Sequence, residues 1–254
     1  MLAYEVIDNH KEEWVVFVHG LGGSTNTWKK QLDAFSAEYN LLLLDLPGHG
    51  KNAHNVISQV RSLKLHKGIK DTLDHLNIET AHFVGMSLGT IVIAHFAICY
   101  PSYVKTIVLG GSALQLNGIY RNCVTFANKI KRRIPYKMLY KFFAWFMMPK
   151  RNHKKSRQIF LREILKLDKE TMFAWIEYLE LSLHPEQVLG KLNSLGKRVL
   201  LISGDEDHCF LEGAKNLAEK MHNIELKVIE KCGHVCTIEN WRVFNSMALK
   251  YLAS

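Results

Sequence analysis

Residues 80–162 contain no aspartate or glutamate, yet they hold 14 of the chain's 33 lysines and arginines. The other 19 basic residues stand against all 24 acidic ones, so the formal charge of +9 belongs to one segment and not to the whole surface. A long uncharged run is also missing. The most apolar stretch, "FFAWFMM" (142–148), is about a third of the roughly 20 residues that span a bilayer, which excludes a membrane-spanning helix. The opening "MLAYEVIDNHKEEW" lacks a positive segment followed by an apolar one, so no signal peptide is expected. The five cysteines are odd in number and without framework spacing, which excludes a disulfide scaffold and fits a reduced, cytoplasmic protein. No internal repeat or low-complexity linker divides the 254 residues.

Short apolar runs recur instead: "WVVFVHG" (14–20), "YNLLLLDLPG" (39–48), "AHFVG" (81–85), "TIVLGG" (106–111), "RVLLISG" (198–204) and "IELKVIE" (224–230), with an opening strand near "AYEVID" (3–8). Most are apolar throughout, as strands covered on both faces are, and helical patterns separate them. The expected fold is α/β, a mostly parallel sheet flanked by helices. After "TIVLGGSA" the rhythm breaks for nearly ninety residues. There Ile119, Cys123, Phe126, Ile130 and Ile134 recur at helical steps up to Pro135, and a second apolar stretch stops at Pro149. A third helix is expected from about Ser156. A fourth follows Asp168 as N-cap, with Phe173, Ile176 and Leu179 on one side. These divisions predict a core of residues 1–115 and 194–254 and an inserted helical cap, 116–193, over the carboxyl ends of the strands, where open α/β sheets bind ligands.

Within "HFVGMSLGT", Ser87 lies between a strand and the helical run "IVIAHFAIC", and Gly85 and Gly89 permit a sharp turn that exposes its hydroxyl. A serine hydroxyl needs a base, a carboxylate to orient that base, and N–H donors for the oxyanion. The Leu88 N–H, at a helix N-terminus, and the Leu21 N–H in "FVHGLGGS" are the candidate donors. The acid-free stretch removes the end of "TIVLGG" as the source of the carboxylate. "GDEDH" after the next strand offers Asp207, past the turn, with Asp205 in reserve. Of 13 histidines, His234 in "KCGHVC" stands between the last strand and the terminal helix. His19 is expected to brace its loop, and Asp45 and His49 to stabilise the segment beneath the pocket. Cys232, His234 and Cys236, with Cys209 nearby, lack zinc-ligand spacing and are read as core residues, so no metal is expected.

In order and separation, "HGLGGSTNTW", "DLPGHG", "GMSLG", "SGDED" and "CGH" resemble the α/β-hydrolase superfamily, in its capped, esterase- or lipase-like form with a serine nucleophile. The resemblance covers nearly the whole chain. It implies a Ser87–Asp207–His234 triad, an oxyanion hole of the Leu21 and Leu88 N–H groups, and no organic cofactor. It also implies a small-molecule ester or acyl substrate, with a hydrophobic acyl group favoured by the apolar cap. Relatives with similar caps cleave carbon–carbon bonds or perform the elimination of the SHCHC synthases. On that alternative, Arg132 or Arg133 would hold a substrate carboxylate. The basic, aromatic stretch 129–155 reads as an amphipathic lid, an anionic membrane or lipid-surface contact, or a positive funnel for an anionic substrate. No recognisable nucleic-acid module accompanies the charge, and no nucleic-acid partner is expected.

Overall fold

The structure is a computed structural model and describes residues 1–52, 60, 65–116, 118–182 and 186–254. Seven strands form one sheet: β1 Ala3–Ile7, β2 Trp14–Val18, β3 Asn40–Asp45, β4 Ala81–Met86, β5 Val104–Gly110, β6 Arg198–Gly204 and β7 Ile224–Ile229. Their order is β1-β3-β2-β4-β5-β6-β7, with β1 antiparallel to β3 and every other pairing parallel. Buried residues sort by parity along each strand, because successive side chains leave opposite faces. Val16, Leu42, Phe83, Ile107 and Val199 enter one core, while Val15, Leu41, Val84, Val108 and Leu200 enter the other.

Helices cover both faces. Leu65–His75 (α2), Leu88–Cys99 (α3) and Leu211–Lys220 (α9) bury Ile69, Ile91 and Leu217 in the first core. Leu32–Ser36 (α1) and Trp241–Leu252 (α11), which follows the short α10 (Cys236–Glu239), bury Phe35, Phe244 and Leu252 in the second. Between β5 and β6 come α4 (Gly118–Ile130), α5 (Tyr136–Met147), α6 (Lys154–Ile164), α7 (Lys169–Ser182) and α8 (Glu186–Ser194). The first four share a small core of their own, including Leu139, Tyr140, Ile164, Phe173 and Ile176. The Asp168 carboxylate caps α7 by accepting the Thr171 N–H at 2.9 Å. From α7, Trp175 and Tyr178 also enter the main core, and the Trp175 indole N–H donates to the Pro47 carbonyl at 3.1 Å.

The inserted block departs from the sequence expectation at three points. α8 packs on α3 and buries Leu192 in the main core, so it belongs to the layer against the sheet and not to the helices above it. α4 ends at Ile130, and Ile134 lies beyond it, because Lys131–Arg133 form a turn. Phe126 is 62% exposed, and its neighbour Ala127 makes the buried contact instead. The side chain of Ile119 lies outside the described residues.

The junction between β4 and α3 leaves no room for a side chain at Gly89. A methyl group on Gly89 would overlap the carbonyl oxygens of Val18 and His19 in the neighbouring strand and its loop. Those are backbone atoms of the central sheet and cannot swing aside. Gly89→Ala should therefore destabilise the protein by about 3 kcal/mol, the upper end of ordinary overpacking, measured by chemical denaturation. A loss below about 1 kcal/mol would mean that α3 can shift along the sheet.

Candidate active site

Ser87 joins β4 to α3 with φ 51° and ψ −115°, a left-handed conformation that a non-glycine residue holds only under constraint. The constraints are local. The Ser87 N–H donates to the Gly110 carbonyl at 3.0 Å, and the Ser87 carbonyl accepts from both the N–H and the hydroxyl of Thr90. The strained turn lifts the side chain off the strand end and into a cavity.

His234 and Asp207 meet it there. The Ser87 hydroxyl lies 2.9 Å from His234 Nε2, and His234 Nδ1 lies 2.8 Å from Asp207 Oδ2. A carboxylate only accepts, so Nδ1 carries the proton and Nε2 is left free to take the serine's. Asp207 is fully buried and His234 nearly so, and the Phe210 ring stacks on the imidazole at 4.5 Å. Asp205, the reserve carboxylate, is exposed and accepts the Cys232 N–H at 3.1 Å, bracing the loop before His234 without touching the imidazole.

The loop after β2 runs beside the serine. A methyl group on Gly20 would stand 3.2 Å from Ser87 Cβ, a crowded contact that glycine avoids. Leu21 and Leu88 both line the cavity with Ser87, and among the described residues no protein acceptor takes either N–H. Two buried histidines hold this loop. His19 donates from Nδ1 to the Gly20 carbonyl and accepts the Leu46 N–H at Nε2. His49 donates to the Pro47 carbonyl and accepts the Gly22 N–H at 2.9 Å. Burial lowers both pKa values, His49 well below the ordinary histidine range, so both rings are neutral struts. Asp45 accepts the N–H groups of Thr25 and Lys51, each at 2.8 Å, and ties the two loops together.

The cavity has a volume of about 160 Å³ and an almost wholly apolar wall, contributed by α4–α7 above the triad. Val124, Tyr140, Phe143, Phe146, Ile159 and Ile176 supply much of it. Glu163 is the one acidic residue in the wall among the described residues. Burial pushes its carboxyl up, but the partners Lys166 and Arg162 outweigh that and hold it below its ordinary value. No lysine or arginine lines the cavity among the described residues. Arg132 and Arg133, expected as carboxylate holders, are exposed in the turn after α4 and do not reach it. The physical reason is that the same turn sends Lys131 inward, where its ammonium pairs with Glu177 at 2.6 Å, and this leaves its two neighbours facing solvent. Cys232 and Cys236 are buried thiols in the core, with Sγ atoms 3.6 Å from backbone carbonyls.

One polar cluster beside the site escapes sequence reading. His153 and Asn152, in the turn before α6, and Lys150 converge on Glu206 at 2.8, 2.7 and 2.9 Å. Glu239 stands 3.8 Å from His153 and accepts the Gly233 N–H at 2.6 Å. Glu206 precedes Asp207 and Gly233 precedes His234, so the cluster fastens the helices over the cavity to both triad loops. A signal for it was present: a segment with 14 cations and no acid must find its carboxylates elsewhere in the chain.

A family model for the alpha/beta hydrolase fold matches residues 13–157. The chain is 29% identical to a 2-hydroxy-6-oxononadienedioate/2-hydroxy-6-oxononatrienedioate hydrolase from Paraburkholderia phymatum, over 95% of this chain and 87% of that one. It is 24% identical to a 2-hydroxy-6-oxo-6-phenylhexa-2,4-dienoate hydrolase from Burkholderia cepacia, over 97% and 90% of the two chains. Among solved structures, an esterase from Exiguobacterium antarcticum superposes with a TM-score of 0.83 at 18% identity, covering 100% of this chain and 96% of that one.

Hydrogen bonds from Asn152, Lys150 and His153 hold the Glu206 carboxyl at a pKa of about 2, below its ordinary 4.5. A depressed carboxylate stabilises the fold above its ordinary pKa, and the contribution fades as pH falls through the folded value. Glu206→Gln should therefore cost about 2 kcal/mol at neutral pH, roughly 5 °C in Tm. The gap between variant and wild type should close from pH 4.5 down to about 2, read by thermal melts across that range. A gap independent of pH would show that charge at Glu206 does not hold the cluster.

Proposed function

Because this chain belongs to the alpha/beta hydrolase fold family, we propose that it is a serine hydrolase that cleaves a carbonyl compound with a hydrophobic acyl portion. The observation that carries this reading is the unbroken relay from Ser87 through His234 to Asp207, at 2.9 and 2.8 Å, opening into an apolar cavity. Ser87 Oγ attacks the carbonyl carbon while His234 Nε2 takes the hydroxyl proton, and Asp207 steadies the imidazolium through Nδ1–H. The oxyanion that forms is held by the N–H groups of Leu21 and Leu88. Collapse expels the leaving group, which receives the proton from His234. Water, deprotonated by the same nitrogen, then releases the acyl group and restores Ser87.

Two leaving groups are compatible with this sequence of steps. The cavity favours an alkoxide from a carboxylic ester, since its wall offers grease for an acyl chain and no cation for a carboxylate. Kinship in sequence favours a carbon leaving group. A 2-hydroxy-6-oxononadienedioate holds no ester or amide, so the relative named for hydrolysing it must break a carbon–carbon bond beside the ketone. Such a bond breaks under serine attack only if the departing carbon is stabilised as an enolate, which His234 can protonate. On that second reading Arg132 and Arg133 have no part in binding, because both lie outside the cavity.

Two assays separate the readings. Turnover of p-nitrophenyl esters from acetate to palmitate should show a chain-length optimum, and Ser87→Ala should lower kcat by roughly 10⁴-fold or more with the melting curve unchanged. A vinylogous 6-phenyl-6-oxo dienoate, whose conjugated chromophore bleaches on cleavage, tests the carbon–carbon reading. A kcat/KM for the dienoate above that of every ester would replace ester hydrolysis by carbon–carbon hydrolysis. Retained turnover in Ser87→Ala on both substrates would sink both. Arg132→Ala/Arg133→Ala should leave kcat/KM for the neutral esters within about twofold, the scatter of surface substitutions.

A further inference from the structure

α5 carries two apolar faces. One, with Tyr140, Phe143 and Phe146, lines the cavity. The other, Met138, Phe142 and Trp145, recurs at steps of four and three residues, which is one stripe of a helix. These three side chains are 61%, 63% and 56% exposed. Isolated exposed hydrophobic residues are ordinary, but a helical stripe of them, with Phe126 exposed on α4, marks a face that meets something apolar. The two faces touch: the Phe142 ring stacks on Phe146 with centroids 5.8 Å apart and planes 12° apart, so aromatic contact runs from the outer surface to the cavity wall. Trp145 is fixed with its outer side open, since the buried Arg157 guanidinium lies 3.7 Å beneath the indole and is itself held by the Met148 carbonyl.

The charge around the stripe selects the occupant. Lys137 and Lys141 are exposed on the same helix, Lys129, Arg132 and Arg133 are exposed just before it, and none pairs with a carboxylate among the described residues. No acid occurs anywhere on α4 or α5. A second copy of the chain would bring the same cations to the contact, and an apolar protein partner would leave them unanswered. We propose that this face docks on an anionic phospholipid bilayer. Met138, Phe142 and Trp145 enter the headgroup–acyl boundary, and the lysines and arginines meet the phosphates. The indole suits that depth, with an apolar body and a polar N–H. Docking stands on the surface alone. Its consequence, delivery of an acyl substrate past Phe142 and Phe146, rests on the hydrolase reading above.

The test is co-sedimentation of the full chain with phosphatidylcholine vesicles, with and without phosphatidylserine, at low and high salt. Ser87→Ala is run in parallel to keep binding apart from turnover. Binding should be at least tenfold tighter with phosphatidylserine and should weaken as salt is raised. It should be equal in wild type and Ser87→Ala. Vesicles with brominated acyl chains should quench indole emission, and Trp145→Phe should remove most of that quenching. Met138→Gln/Phe142→Gln and Lys137→Gln/Lys141→Gln should each weaken binding about tenfold, with circular dichroism verifying the fold. Equal affinity for both vesicles, or full binding by the Met138/Phe142 variant, would overturn the proposal. So would lipid-independent dimerisation abolished by that variant, which would assign the face to a second copy.

Discussion

The backbone of Ser87 is the constraint on which the rest of the site depends. A serine at φ 51° costs of order 1–3 kcal/mol, and it persists because the surrounding backbone leaves no alternative. Gly89 fits beneath the Val18 carbonyl with no room for a methyl group and Gly20 lies close to the serine's own Cβ, so β2, β4 and α3 interlock. The same interlock sets the chemistry. It turns the hydroxyl out of the sheet plane and puts the Leu88 N–H at a helix start and the Leu21 loop alongside. Parallel strands do the remainder: β2, β4, β6 and β7 all end at one edge, so loops far apart in sequence deliver Leu21, Ser87, Asp207 and His234 to the same place.

Histidines in this chain are assigned roles by their hydrogen bonds. His19 and His49 each bind a carbonyl at Nδ1 and a backbone N–H at Nε2, a pairing that only the neutral ring satisfies. His234 instead has a carboxylate at Nδ1 and a hydroxyl at Nε2. The buried carboxylate of Asp207 at Nδ1 is what distinguishes the third from the other two. Two histidines thus give rigidity to the loop after β2 while the third joins a hydroxyl to a carboxylate, although all three follow strand ends.

Strand positions were legible because a buried parallel strand is written in consecutive apolar residues, and Val15 to Val18 or Leu41 to Leu44 need no partner to be read. The site was legible because its parts stand at strand ends in fixed chain order, so Ser87, Asp207 and His234 could each be chosen by place. Side-chain direction at turns was not legible. "KRR" at 131–133 is three equivalent cations in sequence, and only the packing of α4 on α7 sends Lys131 inward to Glu177 and the two arginines outward. The packing of α8 on α3 was not legible for a related reason. Its apolar residues Val188, Leu189 and Leu192 fit any helical surface, and the choice of α3 over the other inserted helices is made by three-dimensional proximity.

The charge segregation along the chain has a structural consequence of its own. Polar residues of the acid-free segment that lie near the sheet find a carboxylate beside Asp207, as Lys150 and His153 find Glu206. The cations on α5 that point away find none among the described residues. The inserted helices are therefore tied to the core by polar contacts at the α5–α6 turn and by Trp175 on Pro47 in α7, with apolar packing alone across the cavity between these anchors. The roof over Ser87 is apolar, and on the hydrolase reading such a wall leaves the Asp207 carboxylate and the Leu21 and Leu88 N–H groups with less screening than water would give. Phe143 and Phe146 in that roof share a helix with the exposed stripe. Any contact that moves α5 thus moves the wall of the cavity that Ser87 and His234 share.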